Sequence, residues 1–332
     1  MLFATIDTGT TNTRVIVWKD EAVLAEAGRP VGVRDTAITG STETLKGGVR
    51  DAIAEALAAA GVTDTGQVLF LASGMITANV GLCEIPHLPA PAGKAELAAA
   101  MRSARLPDVV DQPIWFIPGI KSHDGPITLE SCAAMDIMRG EETEAVGILH
   151  ALDLRGPAIL VLPGSHTKFV RIDEQGRIAG SVTTISGELL DVLTKNTLIA
   201  SSLNHSFADH VVPEALLRGA EYGRTLSLGR SAFLIRLLDL FGDADLAART
   251  NFLLGAVLSS DIMALKNSPS LALQPDMRII IGGKQILRDA FDLLLHADSG
   301  FTGGIEAVPD GLKSAAALGA REIARTRGLF QQ

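Results

Sequence analysis

The stretch Leu2-Phe3-Ala4-Thr5-Ile6-Asp7-Thr8-Gly9-Thr10-Thr11-Asn12-Thr13-Arg14-Val15-Ile16-Val17-Trp18 decides how the rest of the chain is read. Leu2 to Ile6 is an apolar run of strand length. Asp7 to Asn12 has the composition of a tight turn. Thr13 to Trp18 sets Val15 and Val17 against Arg14 and returns as a second strand. Strand, Gly/Thr turn and strand make a hairpin. In such a turn backbone N–H groups converge on one concavity and hydroxyls add donors, so the tip suits a phosphate. An ordinary hairpin turn explains the same letters. Asp7 weighs toward a ligand, because a carboxylate closing a buried strand needs a partner such as Mg²⁺ or a substrate hydroxyl.

The layout returns in the second half. Ala158 to Leu162 reads as a strand, Gly164-Ser165-His166-Thr167-Lys168 as a turn, Phe169 to Asp173 as its return and Ile178 to Ile185 as a third strand. Two such units suggest a duplicated α/β protein with nucleotide between the halves. Between them stands Met138-Arg139-Gly140-Glu141-Glu142-Thr143-Glu144, ahead of the apolar helical face of Ala145, Val146, Ile148 and Leu149. A helix start favours negative charge, which accounts for the glutamates without any chemistry. Arg139 and the lack of a Ser, Thr, Asp or Asn cap leave a catalytic centre equally open.

Other elements follow from periodicity and punctuation. Residues 43–60 form a helix stopped by Gly61. A strand over 68–72 ends in Ser73-Gly74-Met75, with Asn79 following, where α/β sheets place ligand contacts. A helix is predicted over 94–105, a strand over 114–117 and a polar connection over 120–137. Helical spacing covers 189–202, 215–222, 231–241 and 244–265. The strand over 278–281 runs into Gly282-Gly283, and adjacent glycines let a flat group lie against the backbone. A helix over 285–295, an edge element around Val308-Pro309-Asp310-Gly311 and a last helix from Lys313 to Arg327 close the chain.

With 332 residues the chain has room for two domains without staples. Its formal net charge of -9 argues against a nucleic-acid partner. Cys83 and Cys132 form no Cys-x-x-Cys pair and read as idle thiols in a reducing compartment. The apolar start is too short for a signal peptide and no run reaches membrane-spanning length, so a cytoplasmic protein with no membrane partner is expected.

Taken together, the segments Asp7 to Arg14, Ser73 to Gly81, Ile117-Pro118-Gly119, Met138 to Thr143, Leu162 to Lys168 and Ser186 to Leu189 resemble the 2-dehydro-3-deoxygalactonokinase family of the actin/hexokinase/Hsp70 superfamily. The resemblance covers nearly the whole chain. It implies two ribonuclease-H-like (actin-like ATPase) domains, 1–152 and 153–332, with a nucleotide cleft between them and the last helix packing back on the first. It implies ATP- and Mg²⁺-dependent phosphorylation of a small sugar acid, 2-dehydro-3-deoxy-D-galactonate, at its 6-hydroxyl in galactonate catabolism. Gly9, Thr10, Thr11 and Asn12, with Gly164, Ser165, His166, Thr167 and Lys168, would clasp the phosphates, and Gly282-Gly283 would take the adenosine. One departure stands out. The superfamily usually opens its second phosphate turn with an Asp, whereas here Leu162-Pro163 precede Gly164.

Asp7 and the glutamate pair are therefore expected to serve the metal and the base. Asp7 would bind Mg²⁺, and Arg139 and Lys168 would neutralise the transferring phosphoryl. Glu141 or Glu142 would accept the hydroxyl proton, Glu142 being preferred by a narrow margin. Gly74, Asn79 and Glu188 are expected at the sugar acid, with Lys121 as a further candidate for its carboxylate and a local helix cap as the other reading of Glu188. His166 reads more readily as a surface or hydrogen-bonded residue than as a catalyst, and Lys168 equally as a solvated strand residue. A phosphohydrolase of the same superfamily and a non-catalytic nucleotide-binding regulator are the competing functions. A homodimer is one open outcome for the assembly.

Overall fold

The computed structural model describes residues 1–310, 312 and 314–330. Of the expected closing elements, Gly311 and Lys313 lie outside the described residues, as do Gln331 and Gln332.

The opening stretch forms the expected hairpin. Strand β1 (Leu2–Thr8) pairs antiparallel with β2 (Thr13–Lys19), Asp7 opposite Arg14 and Thr8 opposite Thr13. Strand β3 (Ala22–Arg29) adds antiparallel to β2. It carries almost no buried side chain, so no apolar alternation marks it in the sequence. Helix α1 (Val33–Thr39) leads to α2 (Glu43–Ala59), which stops before Gly61 at φ +69°. Strand β4 (Val68–Gly74) lies parallel to β1, placing Ser73 beside Asp7 and Gly74 beside Thr8. After the short β5 (Leu88–Pro89) comes α3 (Lys94–Ala100), shorter than the predicted 94–105. Met101 turns extended (ψ 139°), and β6 (Arg102–Leu106) pairs antiparallel with β7 (Val110–Phe116). Cross-strand pairing here overrides the helical propensity of an alanine-rich run. The expected polar connection contains two short strands, β8 (Ile120–Lys121) and β9 (Ile137–Met138), which join β5 in a small sheet.

Helix α4 (Glu141–Ala151) opens at the acidic cluster. Beyond it β10 (Ala158–Leu162), β11 (Thr167–Ile172) and β12 (Ile178–Thr184) repeat the antiparallel meander. Lys168 already pairs with Leu162 inside β11, so the turn is tighter than the predicted 164–168. Helix α5 (Ser186–Lys195) ends earlier than expected, and a 3₁₀ turn at Leu198–Leu203 replaces its second part. Then come α6 (Pro213–Leu226), α7 (Leu228–Phe241) and α8 (Leu246–Asn267). Strand β13 (Arg278–Ile281) lies parallel to β10, followed by α9 (Gln285–His296), β14 (Ile305–Ala307) and α10 (Ala315–Thr326).

The two main sheets share one plan. Their orders are β3-β2-β1-β4-β7-β6 and β12-β11-β10-β13-β14: a three-stranded antiparallel meander whose first strand then takes a parallel neighbour. This is the ribonuclease-H-like arrangement, present twice. Strand alternation builds three apolar layers. Phe3, Ile16 and Leu71 of the first sheet and Leu160, Val170 and Ile280 of the second face a shared core that holds α4 and α10. Ala4, Ile6, Val15 and Val17 face α2 on the far side of the first sheet. Ile159, Val161, Phe169 and Ile281 face the later helices on the far side of the second. In the shared layer α4 and α10 touch backbone to backbone: a Cβ on Gly147 would lie 1.9 Å from Ala315 O, and one on Gly319 would lie 1.8 Å from Thr143 O. Among the described residues no helix is long and apolar enough to cross a membrane.

Candidate active site

Each hairpin tip is clamped by the helix that follows its meander. In the first, Gly9 N–H donates to Asn12 O (2.8 Å), closing the turn. Val33 and Arg34 at the start of α1 donate to Gly9 O (3.2 Å) and Thr10 O (2.9 Å). The approach is so close that a Cβ on Gly32 would lie 2.4 Å from Thr10 O. In the second, Glu188 N–H donates to Ser165 O (3.0 Å), and a Cβ on Gly187 would lie 2.1 Å from Gly164 O. With these carbonyls tied down, the tips offer N–H groups and the exposed hydroxyls of Thr10, Thr11 and Ser165 to a ligand.

The acidic centre is assembled by glycines. Gly74 (φ +86°) and Gly140 (φ +116°) hold conformations that disfavour side chains. A Cβ on Gly74 would lie 2.6 Å from Thr8 O and 2.9 Å from Asp7 Oδ1, and one on Gly140 would lie 3.4 Å from Gly74 Cα. The end of β1, the end of β4 and the start of α4 therefore meet within van der Waals contact. Crowding by the cleft walls lifts Asp7 to about 6 although water reaches its carboxylate; Arg14 opposes this and Glu141 adds to it.

The three glutamates part company on α4. Glu141 is partly exposed, accepts from Arg139 N–H (3.1 Å) and lies 4.0 Å from Lys168 Nζ. Glu142, narrowly preferred from the sequence as base, is wholly buried. Its Oε2 accepts from Gly140 N–H (2.7 Å), and its Oε1 has no partner among the described residues. Burial pushes Glu142 up to about 8; the charge of Glu141 adds, while two backbone N–H groups and Arg139 oppose. Glu144 stays partly exposed and is lifted to about 7, first by burial and then by Glu141 and Asp7. It lines a cavity of about 500 Å³ that also takes in Asp7, Arg14, Pro163, Gly282 and Gly283. That cavity joins the end of β1 in the first half to the glycine pair after β13 in the second. Gly283 sits at φ +84°, with a Cβ site 2.9 Å from Pro163 O.

The two cations expected to meet the transferring phosphoryl are engaged by protein groups. Arg139 donates to Thr77 Oγ1 (2.7 Å) and Ile85 O (2.8 Å) and lies 3.3 Å from His87 Nδ1. Lys168 is buried rather than solvated. It donates to Ile137 O (2.7 Å) and to the Thr183 hydroxyl, and lies 4.0 Å from both Asp136 Oδ2 and Glu141 Oε1. His166 and Glu188 pair with each other at 3.1 Å, both exposed, and Asn79 is exposed on the loop after β4.

Three residues escape the sequence reading. Glu144 was legible, standing one helical turn from Glu141 on the same face. His87 lies in an irregular Pro/Ala stretch that gives no signal. Asp261, buried on α8, comes under the second hairpin near Thr167, Thr184 and Ser186. Burial lifts it to about 6 against the pull of those hydroxyls, although none meets its Oδ2 at hydrogen-bonding geometry. Among the described residues no cluster of three or more His, Cys, Asp or Glu is arranged to hold a metal by itself. Asp7 and Glu144, which line the same cavity, fit Mg²⁺, which keeps several waters and takes few carboxylates when phosphates supply other oxygens.

Two ribonuclease-H-like halves, paired clamped tips and an acidic helix start between them define a protein of the actin-like ATPase fold. The family model for 2-keto-3-deoxy-galactonokinase matches residues 7–305, and the chain belongs to that family. It is 31% identical over 202 residues to a Rhizobium meliloti (strain 1021) protein described as "Probable 2-dehydro-3-deoxygalactonokinase DgoK1", covering 60% of this chain and 59% of that protein. It is 29% identical over 199 residues to the Escherichia coli (strain K12) 2-dehydro-3-deoxygalactonokinase, covering 59% of this chain and 60% of that one. The match thus spans less than two thirds of either curated relative. A crystal structure from Sinorhizobium meliloti, described as a "putative 2-dehydro-3-deoxygalactonokinase protein", superposes with a TM-score of 0.73 at 26% identity, covering 99% of this chain and 100% of the other.

Proposed function

We propose that the protein is an ATP-dependent kinase that transfers a phosphoryl group to the 6-hydroxyl of 2-dehydro-3-deoxy-D-galactonate, serving galactonate catabolism in the cytoplasm. The observation that carries this reading is one cavity lined by Asp7 of β1, Glu144 of α4 and Gly282-Gly283 after β13, with Gly74 packed against Asp7. Family membership supplies the substrate class. The halves divide near residue 152, with α10 returning to the first.

In this reading Gly9 to Asn12 and Gly164 to Ser165 hold phosphates through N–H groups and hydroxyls, and Gly282-Gly283 receive the adenosine. Asp7 and Glu144 would hold Mg²⁺ through its water shell; when bound, the metal neutralises charge on the phosphates. Of the two candidate bases Glu141 is favoured. It is partly exposed, whereas Glu142 is enclosed and holds its own proton at neutral pH. As the bond from the sugar-acid oxygen to phosphorus forms and the bond from phosphorus to the leaving ADP oxygen breaks, Glu141 takes the hydroxyl proton. Lys168 Nζ lies 4.0 Å from that carboxylate.

A coupled ADP-release screen over 2-keto-3-deoxy sugar acids tests the reading. Turnover should require a sugar acid and be fastest with 2-dehydro-3-deoxygalactonate. Phosphate release from ATP alone would instead identify a hydrolase, and tight ATP binding without turnover a regulator. Glu141→Gln should lower kcat by about 10²–10⁴; near-normal turnover would remove Glu141 as the base.

A further inference from the structure

A sugar acid carries a carboxylate at the end opposite its reacting hydroxyl, and the binding of that charge is unassigned. The first half contains a basic cluster just ahead of α4, Arg139 with His87. Arg139 is half-buried, fixed on Thr77 Oγ1 at 2.7 Å and Ile85 O at 2.8 Å, beside the ring of His87 at 3.3 Å. These contacts tie it to the loop between β4 and β5. Lys168 is anchored separately, on β9 and β12.

Hydrogen-bond bookkeeping fixes the state of His87. A guanidinium has only donors, so the imidazole Nδ1 must accept, and the ring proton sits on Nε2. Burial and then the charges of Arg139, Lys121 and Lys168 push His87 down to about 4, so the ring is neutral at physiological pH. The result is a neutral N–H donor whose buried Nε2 has no partner among the described residues. A buried donor without an acceptor carries a desolvation cost of about 1–3 kcal/mol unless a ligand supplies one. Packing enforces the arrangement from the other side. A Cβ on Gly119 would lie 2.7 Å from Arg139 Cγ and 2.8 Å from His87 Cδ2, so only glycine lets the Ile117-Pro118-Gly119 turn close over both side chains.

The polarity suits an anion. Lys121 is held by Asp124 at 2.5 Å, and Lys168 lies between Asp136 and Glu141. Arg139 has no carboxylate within ion-pair distance among the described residues, and three of its five N–H groups are accounted for. Its backbone N–H binds Glu141, so the guanidinium and the candidate base stand one arginine side chain apart. An extended six-carbon acid is about that long. One end can sit at the guanidinium while its far hydroxyl reaches Glu141.

We infer that Arg139 and His87 form the carboxylate-reading end of the site, Arg139 as the direct ligand and His87 as the residue that positions it and shares the anion's hydrogen bonding. Arg139 is thereby assigned to the sugar acid and not to the transferring phosphoryl. This inference rests on the sugar-acid kinase reading, and the test separates the two. Calorimetric titration with 2-dehydro-3-deoxygalactonate and with its uncharged carboxamide, without ATP, reads carboxylate recognition whether or not turnover occurs. Wild type should bind the acid at least about tenfold more tightly than the amide. His87→Ala should weaken the acid about tenfold or more and leave the amide within about twofold. His87→Gln, which keeps both an acceptor and an N–H donor, should recover most of the difference. In steady state the same loss should appear in KM for the sugar acid, with KM for ATP unchanged. Equal weakening of acid and amide by His87→Ala, or less than a twofold effect on the acid, overturns the pair. So does a wild-type protein that fails to bind the acid. Binding with the expected pattern but without phosphoryl transfer would overturn the kinase reading and leave the pair standing.

Discussion

The two hairpin tips share one architecture and differ in charge. Both are tight turns whose carbonyls are held by the start of the following helix, at Gly32 to Arg34 in one half and Gly187-Glu188 in the other. The first tip places the carboxylate of Asp7 in the cleft. The second opens with Leu162-Pro163; Glu188 pairs with His166 at its exposed end, and the buried Asp261 comes from α8 on the face turned away from the shared core. Its cation, Lys168, is buried and spans toward β9 and Glu141. Duplication thus preserved the clamp and divided the charge: one tip can serve a metal, while the other fastens the halves together.

Four experiments can break or sharpen that contrast. The largest effect is expected from Asp7→Asn, which should lower kcat by about 10²–10³ with the fold intact. Unchanged turnover and Mg²⁺ dependence would show that the first tip holds no privileged charge. Next come Gly32→Ala and Gly187→Ala. Each added methyl would press on a turn carbonyl, costing about 1–3 kcal/mol and weakening ATP binding in both halves. Thermal melts and nucleotide titrations read this; a neutral Gly187→Ala would mean that the second tip needs no clamp. Third, Lys168→Met strands the Ile137 carbonyl and should cost about 1–3 kcal/mol by denaturant unfolding. An effect confined to kcat would place Lys168 in the chemistry alone.

The fourth experiment concerns pH. Folded Glu142 keeps its proton up to about 8, whereas the unfolded chain releases it near 4.5. Between those values the folded state binds more protons, so the contribution of Glu142 to stability is whole below 4.5 and lost as pH rises through about 8. Glu142→Gln, neutral throughout, should match wild type at about pH 5 and melt a few degrees higher at about pH 9. Equal melting temperatures at both would show that Glu142 ionises freely in the fold.

Much of this was legible in the sequence where side chains alternate against a core. The hairpin over residues 2–19 and its echo over 158–172 are visible because each strand puts apolar residues on a buried face. Strands β3 and β6 are the two edges of the first sheet, and their exposed residues carry no such pattern. The acidic centre was visible as a cluster but not in its orientation. Glu141 and Glu142 are consecutive on one helix, about 100° apart around its axis, and only packing decides which stays open and which is enclosed. His87 and Asp261 reach their partners across long stretches of chain, at distances no local pattern encodes.

The crossing of α4 and α10 has a mechanical consequence. At Gly147 and Gly319 the two backbones meet with no side chain between them, and a bearing of that kind tolerates rotation better than separation. Glu141 begins α4 six residues ahead of Gly147, about 9 Å along the axis. For any turn of one half against the other about this crossing, the lever arm of the glutamate is short, whereas the rims of the halves swing on longer ones. In the proposed mechanism the proton acceptor would thus be the near-stationary point, to which any such turn brings the reactants.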